Sequence, residues 1–177
     1  GGSCFQKDIL NLVYLCKHFG LEEVAEYWHQ VVKINNYQKD RFAQKIIDHF
    51  GGDLTGKRIA ILGWAFKANT NDSRESPAIF VAEKLFKAGA ELYIYDPFVT
   101  CNKVLKDISN LWKVEVSDKV IDLKISCLDT LEKVMEEING IAILTEWDEF
   151  KHYNFGDTII FDGRNIIDSN NFKTFSL

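Results

Sequence analysis

Apolar positions in the first fifty residues follow the spacing of helices. They recur at intervals of three and four from Ile9 to Phe19, which predicts an amphipathic helix that ends at Gly20. A second helical pattern covers residues 21–50, and at 1.5 Å per residue such a helix extends about 45 Å. Because this length exceeds the diameter of a small domain, we expect the helix to cross between domains or to pack against another subunit.

Beyond residue 52, short aliphatic runs alternate with helical patterns. The run at residues 59–63 is typical of a buried parallel strand. Ser76 and Pro77 supply an N-cap and a first residue for a helix that stops at Gly89. Further strands are predicted at 91–95, 124–127, 141–145 and 158–162, and further helices at 103–112, 131–138 and 147–153. The sequence therefore predicts an α/β protein, with an all-helical segment (1–52) that includes a long central helix, followed by a Rossmann-like, doubly wound parallel sheet (53–177).

Composition narrows the classes of function. The chain has 177 residues, of which 46% are hydrophobic and 27% are charged, and its net charge is −5. This acidic balance argues against nucleic acid and against anionic membranes as partners. The longest apolar run, residues 59–66, is far shorter than the ~20 residues of a transmembrane helix. Four cysteines without a C-x-x-C pair indicate a reduced, cytoplasmic protein, and a start on Gly-Gly-Ser-Cys suggests a piece of a longer chain.

The loop after the first predicted strand is a candidate binding site, because ligands of such sheets bind at the carboxyl ends of the strands. It has a single glycine, Gly63, and so lacks the G-x-G-x-x-G pattern of a dinucleotide site. Lys67 could neutralise a phosphate, Phe66 or Trp64 could pack on a ring or a sugar, and Arg74 could bind a second anion. Arg164, after the last predicted strand, could point into the same crevice. The alternative is that Trp64 and Phe66 belong to the core and that Lys67 is merely solvated.

A second candidate site lies at the start of the first helix. Cys4 follows two glycines, and a helix start with a nearby Lys7 is a typical environment of reactive cysteines. Asp8 lies one helical turn further on the same face, where it could act on a water molecule. The alternative is that Cys4 is a small apolar residue at a buried helix end. The other three cysteines fit core patterns and are interpreted as structural, and no metal site is predicted because no histidine has a ligand partner at metal spacing.

Three segments together resemble the UDP-glucose 6-dehydrogenases of the UDP-glucose/GDP-mannose dehydrogenase family. They read GGSCFQKD at residues 1–8, GWAFKANTNDSRESP at 63–77 and FDGRN at 161–165. The segments YIYDP at 93–97 and TEWD at 145–148 are similar as well. The resemblance covers essentially the whole chain, with the same order and spacing.

This resemblance implies oxidation of UDP-glucose to UDP-glucuronate with two NAD⁺. It also implies an N-terminal NAD-binding domain, absent from this chain, a central helix that forms a homodimer, and a C-terminal UDP-binding domain. By the same resemblance, this chain alone would bind UDP-sugar and form the dimer without redox activity. The alternatives are the same portion of a sister enzyme, acting on GDP-mannose or UDP-N-acetylmannosamine, and a non-catalytic nucleotide-sugar-binding module.

The resemblance also implies roles for individual residues. Cys4 matches a nucleophile that captures the aldehyde as a thiohemiacetal and is later released from a thioester by water, which Asp8 helps to position. The remaining matches fall into two groups. Residues implied to contact NAD are Cys4, Phe5, Gln6, Lys7 and Arg74, and residues implied to contact the substrate are Gly1, Phe66, Lys67 and Arg164.

Overall fold

A computed structural model of the protein describes residues 3–112, 124–134, 138–168 and 174–176. A pair of helices comes first, and strands then alternate with helices. The helices are α1 Ser3–His18, α2 Glu22–His49, α3 Pro77–Lys87, α4 Cys101–Trp112, α5 Leu131–Val134 and α6 Asp148–His152. The strands are β1 Arg58–Leu62, β2 Glu91–Tyr95, β3 Ile125–Cys127, β4 Gly140–Ile143, β5 Ile159–Asp162 and β6 Thr174–Ser176.

The helices α1 and α2 form a hairpin with its own small core. Ile9, Val13 and Cys16 of α1 pack against Ala25 of α2, and all four are buried. The turn between the helices requires Gly20, whose φ of 73° lies in the left-handed region. This is the C-terminal glycine that the pattern of apolar residues predicts for the first helix.

Helix α2 is continuous over 28 residues, which corresponds to about 42 Å. Its C-terminal half enters the main core through Phe42, Ala43, Ile46 and Ile47. Its N-terminal half contacts α1, but much of its apolar surface stays in solvent. The predicted long helix is therefore confirmed. Its N-terminal half packs against α1, and its C-terminal half packs against the sheet.

The sheet has six parallel strands in the order β3-β2-β1-β4-β5-β6. This is the strand order of doubly wound, Rossmann-like folds, so the predicted α/β class is confirmed. β1 and β4 are central and almost wholly buried, as the aliphatic runs indicate. The sequence pattern missed β6, and of the helix predicted at 131–138 residues 135–137 lie outside the described part of the chain.

The crossover helix α3 begins and ends at the predicted signals. The Ser76 hydroxyl accepts a hydrogen bond from the backbone N–H of Ala78 at 3.3 Å, and Pro77 is the first helical residue. One face of α3 is buried against the sheet. Among residues 3–112, 124–134, 138–168 and 174–176, no helix is both long and apolar enough to cross a membrane.

Candidate functional site

The candidate site lies in the middle of the sheet, at the carboxyl ends of β1, β4 and β5. β1 and β4 are hydrogen-bonded neighbours, and the strand order reverses between them. In open parallel sheets, such a switch point leaves a crevice in which ligands bind. The loops that follow these strands contain Phe66, Lys67, Glu146 and Arg164.

Asp96, just after β2, holds the start of the loop that follows β1. Its buried carboxylate accepts hydrogen bonds from the backbone N–H groups of Trp64 at 2.6 Å and Ala65 at 2.9 Å. Three more donors reach the same carboxylate, namely Phe98 N at 2.8 Å, Val99 N at 2.9 Å and Trp147 Nε1 at 3.2 Å. Charge-assisted hydrogen bonds of this kind are strong, so the carboxylate fixes the loop backbone against the neighbouring strands.

Helix α4 holds the same loop through hydrogen bonds to Asp107. The Asp107 carboxylate accepts hydrogen bonds from Trp64 Nε1 at 3.1 Å, from Ser73 Oγ and from Lys103 Nζ. Lys103 Nζ also donates to Ser73 Oγ at 2.6 Å. Trp64 is fully buried. Of the two interpretations left open for this residue, the structure therefore selects the core and excludes stacking on a ligand.

Gly63 allows the loops after β1 and β4 to touch. Its φ is +93°, and a Cβ built on it would lie 2.3 Å from Thr145 Cβ. Thr145 Oγ1 in turn donates to the Ala65 carbonyl at 2.6 Å. A dinucleotide cradle needs glycines that let pyrophosphate approach the backbone. Here the space beside Gly63 is occupied by the Thr145 side chain. The residues at β1 therefore do not fit NAD.

The loop after β5 is built on Asp162. Its buried carboxylate receives backbone N–H groups from four successive residues: Arg164 at 2.9 Å, Asn165 at 2.8 Å, Ile166 at 2.7 Å and Ile167 at 2.8 Å. Asn165 adopts a left-handed φ of 55° in this turn, a conformation that asparagine tolerates better than most residues. The turn directs the Arg164 side chain back across the ends of the strands.

Arg164 joins three loops. Its Nε donates to the Leu144 carbonyl at 2.7 Å, and its Nη2 donates to the Phe66 carbonyl at 3.2 Å. Its Nε also lies 3.4 Å from Oε2 of Glu146. The structure thus brings together two residues that are 98 apart in the chain, Phe66 and Arg164, and it does so at the switch point.

Two further charged side chains, Lys67 and Glu146, stand on the loops that follow β1 and β4. Lys67 is exposed, with its Nζ 5.5 Å from the centroid of the Phe66 ring. Oε1 of Glu146 accepts the backbone N–H of Ala68 at 3.5 Å. Oε2 of Glu146 is buried and receives no hydrogen bond from the described residues. Buried acceptors are normally satisfied, and the nearest described partner of this oxygen is the Arg164 guanidinium, with which it forms an ion pair.

Arg74 lies in a different place from Arg164. It forms a two-pronged pair with Asp72, with Nε–Oδ1 at 3.0 Å and Nη2–Oδ2 at 2.8 Å. This hydrogen bonding lowers the pKa of Asp72 and raises the pKa of Arg74. Arg74 lines a cavity of about 560 Å³ with Phe98 and Lys103, whereas Arg164 lines a smaller one below α2. The arginines expected in one crevice are therefore divided between two cavities.

The first turns of α1 contain the predicted catalytic residues. Cys4 and Asp8 are both exposed, which excludes the interpretation of Cys4 as a buried apolar residue. Lys7 is exposed as well, and Phe5 and Gln6 line a cavity of about 370 Å³ between α1 and α2. Gly1 lies outside the described residues.

Sequence reasoning missed Lys39. This lysine of α2 is only 7% exposed, donates to Asn36 Oδ1 at 3.1 Å and places its Nζ 4.0 Å from the centroid of the Phe80 ring. Burial lowers its pKa. It lines a cavity of about 140 Å³ together with Arg164 and Phe42. A signal was present, because Lys39 stands three residues before Phe42, on the apolar stripe of the helix.

One cysteine interpretation is wrong. Cys16 is buried and Cys127 is half-buried, but Cys101 is exposed. The apolar pattern fails here because Cys101 is the first residue of α4, and the buried positions of that helix begin one turn later, at Val104. Among the described residues, no group of three or more His, Cys, Asp or Glu side chains could hold a metal ion.

The chain is similar in sequence to known proteins. Residues 60–169 match the profile of the UDP-glucose/GDP-mannose dehydrogenase family, UDP binding domain. The chain is 45% identical to UDP-glucose 6-dehydrogenase 1 of Glycine max, covering 98% of this chain and 39% of that protein. It is 42% identical to UDP-glucose 6-dehydrogenase 1 of Arabidopsis thaliana, covering 96% and 38%. The chain thus spans about two fifths of the length of these relatives.

Solved structures agree in fold. A UDP-glucose dehydrogenase from Pyrobaculum islandicum superposes with a TM-score of 0.78 at 26% identity, covering 100% of this chain and 37% of that one. A GDP-mannose dehydrogenase from Pseudomonas aeruginosa superposes with a TM-score of 0.70 at 21% identity, covering 98% and 39%. At that lower identity the likeness shows the fold alone.

Proposed function

The chain belongs to the UDP-glucose/GDP-mannose dehydrogenase family, and from this premise we propose that it is the part of a UDP-glucose 6-dehydrogenase that binds the nucleotide sugar. The whole enzyme would oxidise UDP-glucose to UDP-glucuronate with two NAD⁺. UDP-glucose 6-dehydrogenase 1 of Glycine max is 45% identical to this chain over the aligned residues, which favours UDP-glucose over the sugars of the sister enzymes.

The observation that carries the proposal is the meeting of three loops at the switch point of the sheet. Lys67 and Arg164 bring positive charge to the ends of β1 and β5, and a diphosphate is the ligand that such charge suits. Phe66 contributes an aromatic ring beside them. Glu146 adds a buried acceptor oxygen for a hydroxyl of the ribose or the sugar. Together these side chains match the diphosphate, the rings and the hydroxyl groups of a UDP-sugar.

The catalytic step is proposed for α1. An exposed thiol at Cys4 is accessible to a carbonyl carbon, and its attack on an aldehyde forms a thiohemiacetal. Asp8 lies one turn away, where it would position the water that later hydrolyses a thioester. Gly1 would contact the substrate through its backbone.

The cofactor would be held mainly outside this chain. The turn at Gly63 does not fit the pyrophosphate of NAD, because Thr145 fills the space beside this glycine. Contacts from this chain to NAD⁺, which supplies the hydride acceptor, are proposed for Cys4, Phe5, Gln6, Lys7 and Arg74. We therefore propose that an N-terminal NAD-binding domain precedes residue 1 in the whole enzyme.

The organisation of the chain follows the same proposal. Residues 1–52 form a catalytic and dimerisation segment, and residues 53–177 form the UDP-sugar-binding unit. Tyr27, Ile34 and Tyr37 of α2 are 68%, 60% and 60% exposed, which supports a homodimer through the central helix. Four free thiols support a cytoplasmic location.

Calorimetric titration tests the binding function. The chain should bind UDP and UDP-glucose and should discriminate against GDP-mannose. Lys67→Ala should weaken binding about tenfold to a hundredfold, since one charge-assisted hydrogen bond contributes about 1.5–3 kcal/mol. Lys87→Ala, which removes an exposed lysine from the end of α3, is the matched control. Equal affinity of both variants and the unchanged chain would contradict the proposed site.

The catalytic role needs the longer protein. This chain mixed with NAD⁺ and UDP-glucose should produce no NADH, because it lacks a dinucleotide cradle. In the protein that includes the NAD-binding domain, Cys4→Ser should abolish turnover and leave the affinity for UDP-glucose unchanged. Full turnover by that variant would remove Cys4 from the mechanism without affecting the binding proposal.

A further inference from the structure

Two cysteines outside the proposed site lie beside each other at one edge of the sheet. Cys101 is the first residue of α4, and Cys127 is the last residue of β3. β2 and β3 are parallel neighbours, so the loop that leads from β2 to Cys101 and the last residue of β3 both lie at the carboxyl edge of the sheet. Both cysteines line a cavity of about 320 Å³ there.

The two thiols differ in accessibility. Cys101 is exposed, whereas Cys127 is half-buried. Burial, followed by the hydrogen bond to Cys101, raises the pKa of the Cys127 thiol. An oxidant from solution therefore meets Cys101 first, and Cys127 stands next to the product as a protonated thiol. This is the arrangement of an attacking and a resolving cysteine.

We propose that Cys101 and Cys127 form a redox-modification site that closes to an intramolecular disulfide when the protein meets a peroxide. In the first step, the Cys101 sulfur attacks hydrogen peroxide, the O–O bond breaks, and the sulfur becomes a sulfenic acid as water leaves. In the second step, the Cys127 sulfur attacks the Cys101 sulfur and the S–O bond breaks. The departing hydroxide takes up the Cys127 thiol proton and leaves as a second water molecule. Two thiols are oxidised and one peroxide is reduced.

The disulfide would tie the start of α4 to the edge strand. Cys101 directly follows the loop whose Phe98 and Val99 N–H groups bind Asp96. Since the cross-link restricts the unfolded chain, the oxidised protein should unfold at a higher temperature than the reduced one. This site is independent of nucleotide-sugar binding, so the two proposals can fail separately.

Peptide mapping after mild oxidation tests the site. The folded chain is treated with one equivalent of hydrogen peroxide, remaining thiols are alkylated, and the digest is analysed by mass spectrometry. We expect a peptide cross-linked through Cys101 and Cys127, restored to two free thiols by dithiothreitol. Cys127→Ser should stop at a sulfenic acid on Cys101 that dimedone traps. Cys4→Ser and Cys16→Ser are matched controls that should keep the cross-link.

Oxidation in urea supplies the contrast with the unfolded chain. There the short separation of Cys4 and Cys16 favours their pairing, because loop-closure entropy penalises longer loops. The folded protein should instead give mostly the Cys101–Cys127 link, at several times its yield in urea. An equal distribution of links in both conditions, or a folded protein in which Cys127 stays reduced while Cys101 is oxidised, would overturn the proposal.

Discussion

Carboxylates at the ends of strands decide the shape of the candidate site. Asp96 and Asp162 are buried, and each gathers backbone N–H groups from the loop that follows it. The sequence marks both positions, since each ends a predicted strand. It does not reveal that Asp96 also binds Trp64 and Ala65, which are more than thirty residues away. Local patterns contain no information about which distant loop a carboxylate will meet.

Asp96→Asn tests this role. An amide has one acceptor oxygen and would turn an NH₂ group toward donors that now bind a carboxylate, so stability should fall by about 2–4 kcal/mol. Urea denaturation measures the change. Asp157→Asn, at an exposed carboxylate in the turn before β5, is the control and should stay within about 0.5 kcal/mol of the unchanged protein. A similar loss in both variants would contradict the organising role of Asp96.

Tyr95 predicts a pH dependence at the alkaline end. Burial and the hydrogen bond from its hydroxyl to Glu149 Oε2 at 3.3 Å raise the pKa of Tyr95 from 10.0 to about 12. The folded state therefore keeps a proton that the unfolded state releases near pH 10. The stability that this phenol contributes is complete below pH 10 and is lost as the pH rises toward 12.

Comparison with Tyr95→Phe isolates that contribution. The variant keeps the ring that packs near Phe150 but has no proton to lose. Between pH 10 and 11.5, urea midpoints should fall more steeply for the unchanged protein than for Tyr95→Phe. Parallel slopes would show that the folded structure does not perturb this phenol.

At the scale of elements, sequence patterns were most reliable where a signal is local. The end of α1 at Gly20, the start of α3 at Ser76 and Pro77, and the buried β1 were predicted because caps and aliphatic runs are short-range features. β6 was missed because Thr174–Ser176 pairs only with β5, at the edge of the sheet, and three residues contain no periodic pattern. The division of Arg74 and Arg164 between two cavities likewise depends on tertiary packing.

The contact between the loops after β1 and β4 can be tested at Gly63. Gly63→Ala adds a left-handed strain of about 1–2 kcal/mol to a steric clash with Thr145, so we expect a loss of more than about 2 kcal/mol. Gly156→Ala has a similar positive φ but open space around its Cβ. It should show the strain alone. Equal losses in thermal or urea denaturation would mean that the approach of Thr145 to Gly63 is not tight.

At the scale of the whole molecule, α1 and the N-terminal half of α2 form a small core of their own, separate from the core of the sheet. α1 and α2 share a core of four buried residues and leave large apolar side chains in solvent. Exposed apolar surface of this kind is what the proposed dimer would cover. The length of α2 alone led to the same expectation from the sequence, although the exposed positions could be identified only after the packing of α1 was known.

Ile34→Asp tests the proposed dimer. Light scattering at micromolar concentration should give the mass of a dimer for the unchanged chain and of a monomer for the variant, because a buried charge is costly at an interface. Circular dichroism should be the same for both. Asp157→Lys is the control, because this residue is exposed and lies in the turn before β5, outside α1 and α2. That variant should remain dimeric. A monomeric unchanged chain would remove the dimer from the proposal.

The most direct test of the account is to map UDP binding on the chain by NMR. As UDP is added, the amide resonances of Phe66, Lys67, Glu146 and Arg164 should shift together and saturate at one affinity. Resonances of the turn at Gly156 should stay in place. Saturable shifts confined to other surfaces, or none at millimolar UDP, would contradict the placement of the nucleotide sugar at the switch point between β1 and β4.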